Sequence, residues 1–197
     1  MDEIVKQAMA KWPNVPHCYG WLALDARGAW RMRDEAAQRA GAPGDKLTNA
    51  ALVGFINRNY LHDERGCWYF QNGPQRVYVN LEATPFIART DPLAGFLLHT
   101  GRPLGQVEQA FMTDLGQVIL QGADVVAQVD DRDVAQLLPC MELDGAPVTD
   151  DALAGWIEHG GDEMLLRHGG KAVRIEHLRA EEVAARFRFI MQPQLPG

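Results

Sequence analysis

Four groups of residues have types and spacings that could do chemistry. Histidines recur nine apart at His159, His168 and His177, with Asp162 and Glu163 as candidate fourth ligands. A zinc site would need such groups to converge tetrahedrally. His168 reads as a hairpin tip and His177 as the far end of the return strand, roughly 20 Å away at about 3.3 Å per residue. The three are therefore expected to stay apart and solvent-exposed, and no metal site follows. His17-Cys18 with Cys67 offers a thiol and a base. Neighbours along an extended chain point to opposite faces, and cysteines among strand aromatics are ordinarily small buried hydrophobes.

Asp63-Glu64-Arg65 has the makings of an acid–base group and equally of a solvated turn. Asp130-Asp131-Arg132-Asp133 has oxygens for calcium but lacks the glycine and distal glutamate of an EF-hand loop. Acids at a helix start also complement its dipole. No Gly-rich phosphate loop, GxSxG elbow or HExxH pair is present. No catalytic residue, metal or cofactor is expected.

Recognition is better represented. The first half interleaves Trp21, Trp30, Tyr60, Trp68, Tyr69 and Tyr78 with Arg58, Asn59, Arg65 and Arg76. Aromatics with arginine are what binding clefts and interfaces use. Trp30, Arg58, Tyr60, Arg76 and Tyr78 are the candidate ligand-binding residues. Arg58 and Arg76 would pair with carboxylate or phosphate, and the rings would supply stacking area. The competing reading places these aromatics in a core, since strands favour them regardless of function.

The elements that must position these residues are written twice. Thr48-Asn49-Ala50-Ala51-Leu52-Val53-Gly54-Phe55-Ile56 is answered by Thr149-Asp150-Asp151-Ala152-Leu153-Ala154-Gly155-Trp156-Ile157. Trp68 to Val79 is answered by Met164 to Ile175, with Met164-Leu165 in place of Trp68-Tyr69 and Arg174 in place of Tyr78. Each copy reads as a helix, capped by Thr48 in the first, then a hairpin. The shared glycine inside each helix implies close approach of a neighbouring backbone, since it costs about 1 kcal/mol relative to alanine. A final strand is expected over Val183–Met191, and a loose tail from about Gln192.

The predicted fold is α+β. It has two related halves, 1–90 and 91–197, each a helix plus antiparallel hairpins forming mainly antiparallel sheet. Of the 197 residues 47% are hydrophobic and 23% charged, the composition of a globular protein. The formal net charge of −7 argues against nucleic acid and anionic membranes as partners. The N-terminus lacks the basic and apolar regions of a signal peptide, so a cytoplasmic location is the expectation. Three widely spaced cysteines form no disulfide framework.

Several stretches resemble a bacterial domain-of-unknown-function family, number 1285, and shorter proteobacterial relatives. They are Leu24-Asp25-Ala26-Arg27-Gly28-Ala29-Trp30, Leu52 to Arg58, Trp68-Tyr69-Phe70 and Arg76 to Ala88. The resemblance implies repeated α/β motifs and a role in signal transduction, and it carries over no functional residue. The expected function is therefore recognition of a small acidic ligand or a protein partner, without catalysis. The site would be the first half's aromatic and arginine face or the groove between halves. The alternatives are a small hydrolase using His62 or Asp63, and a homodimer joined through hairpin edges with no ligand.

Overall fold

The computed structural model describes residues 1–195, in two compact units. One comprises residues 1–85 with the returning segment from Arg188, the other residues 86–187.

The first unit runs α1 (Glu3–Lys11), β1 (Cys18–Leu24), β2 (Trp30–Met32), α2 (Glu35–Ala40), β3 (Asp45–Lys46), α3 (Ala50–Arg58), β4 (Tyr60–His62), β5 (Trp68–Asn72) and β6 (Gln75–Leu81). Its sheet has the order β3-β2-β1-β6-β5-β4. At the centre β1 and β6 are parallel, while the flanking pairs are antiparallel. Alternation sends Leu22, Leu24, Val79, Leu81 and Phe70 to a buried face with Trp30, Tyr60 and Ile56. Arg31, Asn80, Tyr78, Arg76, Tyr69 and Gln71 take the other face, following the register Tyr69↔Tyr78 and Gln71↔Arg76.

The second unit contains β7 (Phe86–Asp91), β8 (Gly95–Leu98), β9 (Gln109–Thr113), β10 (Val118–Gln121), β11 (Val126–Val129), β12 (Met141–Leu143), β13 (Ala146–Pro147), α4 (Asp150–His159), β14 (Met164–His168), β15 (Lys171–Leu178) and α5 (Val183–Arg186). Short 3-10 turns lie at Val134–Gln136, Leu138–Cys140 and Ala180–Glu182. The sheet order is β13-β12-β14-β15-β9-β10-β11-β7-β8, with β7–β11 and β9–β15 parallel. Its core includes Phe96, Phe111, Ile119, Leu120, Met112 and Met164.

Tight turns are built on one local device. Asp25 accepts the N–H groups of Arg27 and Ala29, Asp63 those of Arg65 and Cys67, and Asp130 that of Arg132. A short carboxylate satisfies donors that the turn would otherwise expose. In each case an arginine then closes on the carboxylate: Arg31, Arg65 and Arg132 respectively.

The structure amends the expected pattern in five places. The expected final strand Val183–Met191 begins instead as α5, directly after the Ala180–Glu182 turn, and Arg188 then adopts a left-handed φ of 56° that no strand tolerates. The segment beyond it rejoins the first unit through Leu81 N–H to Met191 O and Ile190 N–H to Gly66 O. Gly66 is required there, because a Cβ would lie 2.2 Å from the Arg188 carbonyl. The expected loose tail contains a buried Pro193 within residues 192–195, and its last two residues lie outside the described residues.

The cap of α3 is Asn49, which accepts the Leu52 N–H at 3.0 Å, whereas Thr149 does cap α4. Asn displaces Thr48 because both sit at the start and Asn is the better cap. Neither helix glycine meets a neighbouring backbone: a Cβ on Gly54 would meet the Arg58 guanidinium and one on Gly155 would meet nothing within 4 Å. The boundary expected near residue 90 lies before Phe86, since β7 pairs with β8 and β11. No described helix is long and apolar enough to cross a membrane.

Candidate functional site

Along β6 Arg76, Tyr78 and Asn80 share the face opposite that of Val79 and Leu81, two apart as the pleat requires, with Arg76 and Asn80 half-buried and Tyr78 buried. Tyr78 forms the floor of a ring cluster. Tyr19 stacks on it at 4.5 Å and 6°, Tyr69 meets it edge-on at 5.6 Å, and the His17 ring at 5.9 Å. Its hydroxyl donates to Asp63 Oδ2 at 3.1 Å, and Arg65 donates to that hydroxyl at 3.3 Å. Asp63 thus takes five donors: Arg65 N–H, Nε and Nη2, Cys67 N–H and the Tyr78 hydroxyl. Burial works to raise the Asp63 pKa, but hydrogen bonds from Arg65, Cys67 and Tyr78 outweigh it and leave it below the ordinary 3.8.

Arg76 stands on this floor with its guanidinium 4.6 Å above the Tyr69 ring, a cation–π geometry. Among the described residues it forms no ion pair. It lines a cleft of about 310 Å³ with Met9, Trp12, Pro13, His17, Gln71 and Pro74. The lining thus mixes apolar and aromatic groups with the Gln71 amide and the His17 imidazole, and its charge is cationic. Desolvation first, then the charges of Arg76 and Arg65, hold the His17 imidazole below its ordinary 6.5, so it is neutral at pH 7. Opposite Arg76 in the hairpin, Gln71 is 1% exposed and donates Nε2–H to Gly73 O at 2.8 Å. Its Oε1 is buried without a hydrogen-bond partner among the described residues, which native interiors rarely allow.

The loop that completes the cleft is fixed at both ends. Gln75 Nε2 donates to Pro16 O at 2.9 Å, holding the 12–17 loop against the hairpin. Asp2 N–H donates to Asn59 Oδ1 at 2.7 Å and Arg58 pairs with Asp2 at 3.2 Å, anchoring the start of α1.

Of the five candidate ligand-binding residues, only Arg76 and Tyr78 come together here. Trp30 and Tyr60 form a core pair on the opposite face, rings 5.0 Å apart and edge-on. Trp30 Nε1–H donates to Asn57 Oδ1 and the Tyr60 hydroxyl to Pro85 O, so their polar ends are satisfied inside. Burial pushes the Tyr60 hydroxyl pKa well up. The core reading of these aromatics holds for this pair, and also for the ring of Tyr78, which is 2% exposed and packs with Cys67, Tyr69, Tyr19 and Leu61. Arg58 is occupied by Asp2 and by the Gly54 carbonyl.

Sequence reasoning missed Gln71, Trp12, Met9 and the part played by His17. The hairpin register was available to find Gln71, because counting back across Asn72–Gln75 places it opposite Arg76.

The other constellations dissolve into structure. His168 packs on Phe96 at 4.6 Å, His177 Nε2 bonds the Ile157 carbonyl, and His159 sits beside Glu158 on α4. Two of these histidines are half-buried rather than exposed as expected. Asp130 is fully buried between Arg89 and Arg132, and burial raises its pKa. Among the described residues no three His, Cys, Asp or Glu are grouped to hold a metal ion.

Comparison with known proteins places the chain among uncharacterised families. A family model, DUF2944, described as "Protein of unknown function (DUF2946)", matches residues 1–194. The crystal structure of a DUF1285 family protein from Silicibacter pomeroyi DSS-3 is similar in fold, with a TM-score of 0.51 and 14% identity. The match covers 93% of this chain and 98% of that one. No curated protein matches the sequence.

Proposed function

We propose that this chain, which belongs to the DUF2944 family of proteins of unknown function, binds a small carboxylate-bearing molecule in the cleft beside Arg76. One observation carries this reading: a guanidinium with no ion-pair partner among the described residues stands on a tyrosine floor in a cleft that Met9, Trp12, Pro13 and Pro74 also line. A carboxylate there gains charge-assisted hydrogen bonds in surroundings partly shielded from water. Trp12, Met9, Pro13 and Pro74 match an apolar or aromatic body on the same molecule. The cleft offers no nucleophile aligned with a base, so we assign it recognition rather than turnover. A cytoplasmic receptor or regulatory role follows from that assignment. We also read α3 with β5–β6, and α4 with β14–β15, as two copies of one unit, of which the first keeps the cleft.

The test uses carboxylate probes with different bodies, benzoate and hexanoate, titrated calorimetrically into the intact chain. Binding is expected at millimolar concentration or tighter. Arg76→Ala should weaken it by about tenfold to a hundredfold, the worth of a charge-assisted pair, with the melting temperature of the free protein unchanged. Absence of binding by either probe, or equal affinity in the variant, contradicts the assignment.

A further inference from the structure

The sheet of the first unit has a second recess, of about 270 Å³, at the other end of β6. It opens where the parallel strands β1 and β6 end side by side, at Leu24 and Leu81. Beyond these residues the chain turns back into β2 on one side and leaves the sheet on the other. Crevices at the carboxyl ends of parallel strands, where connections diverge, are where open α/β sheets bind ligands. One wall is the 41–44 loop, laid so close on β2 that a Cβ on Gly44 would sit 2.3 Å from the Met32 carbonyl. Its φ of 82° also demands glycine.

Four charges face the recess. Arg31 is already neutralised by Asp25 at 2.8 Å, and Asp25 is further fixed by its turn N–H groups. Arg33 is different. It is half-buried, its Nε donates to the Ala42 carbonyl at 3.0 Å, and it forms no ion pair among the described residues. Glu82 is exposed and takes the Ala26 N–H on Oε2 at 3.1 Å. Asn80, on the same strand face, adds a neutral amide.

With Asp25 and Arg31 offsetting each other, a simple anion would meet Glu82, and a simple cation would meet Arg33. Only a molecule carrying both signs finds both charges complementary. We infer that this recess binds a small amino-carboxylate zwitterion, its carboxylate on Arg33 and its ammonium on Glu82. The assignment is independent of the Arg76 cleft.

The experiment titrates the intact chain with L-serine and L-leucine, and with the matched single-charge compounds 4-methylpentanoate and 3-methylbutylamine. At least one amino acid should bind saturably, with the acid and the amine about tenfold weaker or worse. Arg33→Gln and Glu82→Gln should each cost about tenfold in amino-acid affinity. Because Arg33 also holds the loop, Arg33→Lys serves as the second variant: it keeps the charge and should retain more affinity than Arg33→Gln at equal melting temperature. Failure of both amino acids to bind, equal binding of the acid alone, or unchanged affinity in Arg33→Gln overturns the proposal.

Discussion

Two hairpins of this molecule share a backbone plan and differ in what surrounds their arginines. In β5–β6 the cross-strand pairs are Tyr69↔Tyr78 and Gln71↔Arg76; in β14–β15 they are Leu165↔Arg174 and Arg167↔Ala172. Each hairpin follows a helix, α3 or α4, in chain order. Arg167 is clamped on both sides by Glu142, with Nη2 to Oε2 at 2.7 Å. Arg76 faces a glutamine and stands on a buried ring instead. An arginine on a hairpin is thus common property of the scaffold. On the function proposed above, it becomes a recognition group where no ion pair occupies it among the described residues and aromatic rings shield it from water.

The comparison breaks first if the floor of the first hairpin is removed. Asp63→Ala strands the Arg65 and Tyr78 donors together with two turn N–H groups. The expected loss is about 2–3 kcal/mol of stability by denaturant melting, since several buried partners are left unmade. Acid should act through the same group. With the folded Asp63 pKa below 3.8, its stabilisation is complete above that value and is lost as pH falls through the folded pKa. The wild type should therefore lose stability more steeply than Asp63→Asn below about pH 4. Parallel acid melts would refute this.

A subtler change converts one hairpin's electrostatics into the other's. Gln71→Glu places a carboxylate opposite Arg76, giving it an acidic partner as Arg167 has in Glu142. Carboxylate-probe affinity should fall by about tenfold, roughly 1.4 kcal/mol, with the fold retained. Undiminished affinity would mean that the missing counter-charge is not what makes the first hairpin a site.

Much of this was legible before any coordinates. The hairpins, their turns and the α+β class follow from alternation at Val77, Val79 and Leu81 and from Asn72-Gly73. Arg76 and Tyr78 share a face by simple parity. Trp30 and Tyr60 were misplaced because an aromatic in a strand looks alike on either face; only the sheet's packing shows that their polar ends bond Asn57 and Pro85. Three parallel pairs, β1–β6, β7–β11 and β9–β15, join strands distant in sequence, which local patterns do not encode. The same limit hid the cleft wall, since Met9 and Trp12 reach it through a loop fastened by Gln75 to Pro16. The stretch from Val183 misled through its β-branched and aromatic residues, while the left-handed Arg188 set its actual path.

His17 offers the most direct test, because it lines the cleft, where desolvation and then the charges of Arg76 and Arg65 hold its imidazole below the ordinary 6.5. An NMR titration of the histidine ring signals, with and without saturating benzoate, reads this residue apart from the exposed His159. The free His17 midpoint should lie below 6.5. A bound carboxylate favours the imidazolium, so the midpoint should rise on adding benzoate, and benzoate affinity should increase as pH falls through the free value. A His17 midpoint indifferent to benzoate, under conditions where the probe binds, would place the ligand elsewhere and contradict the Arg76 cleft as the site.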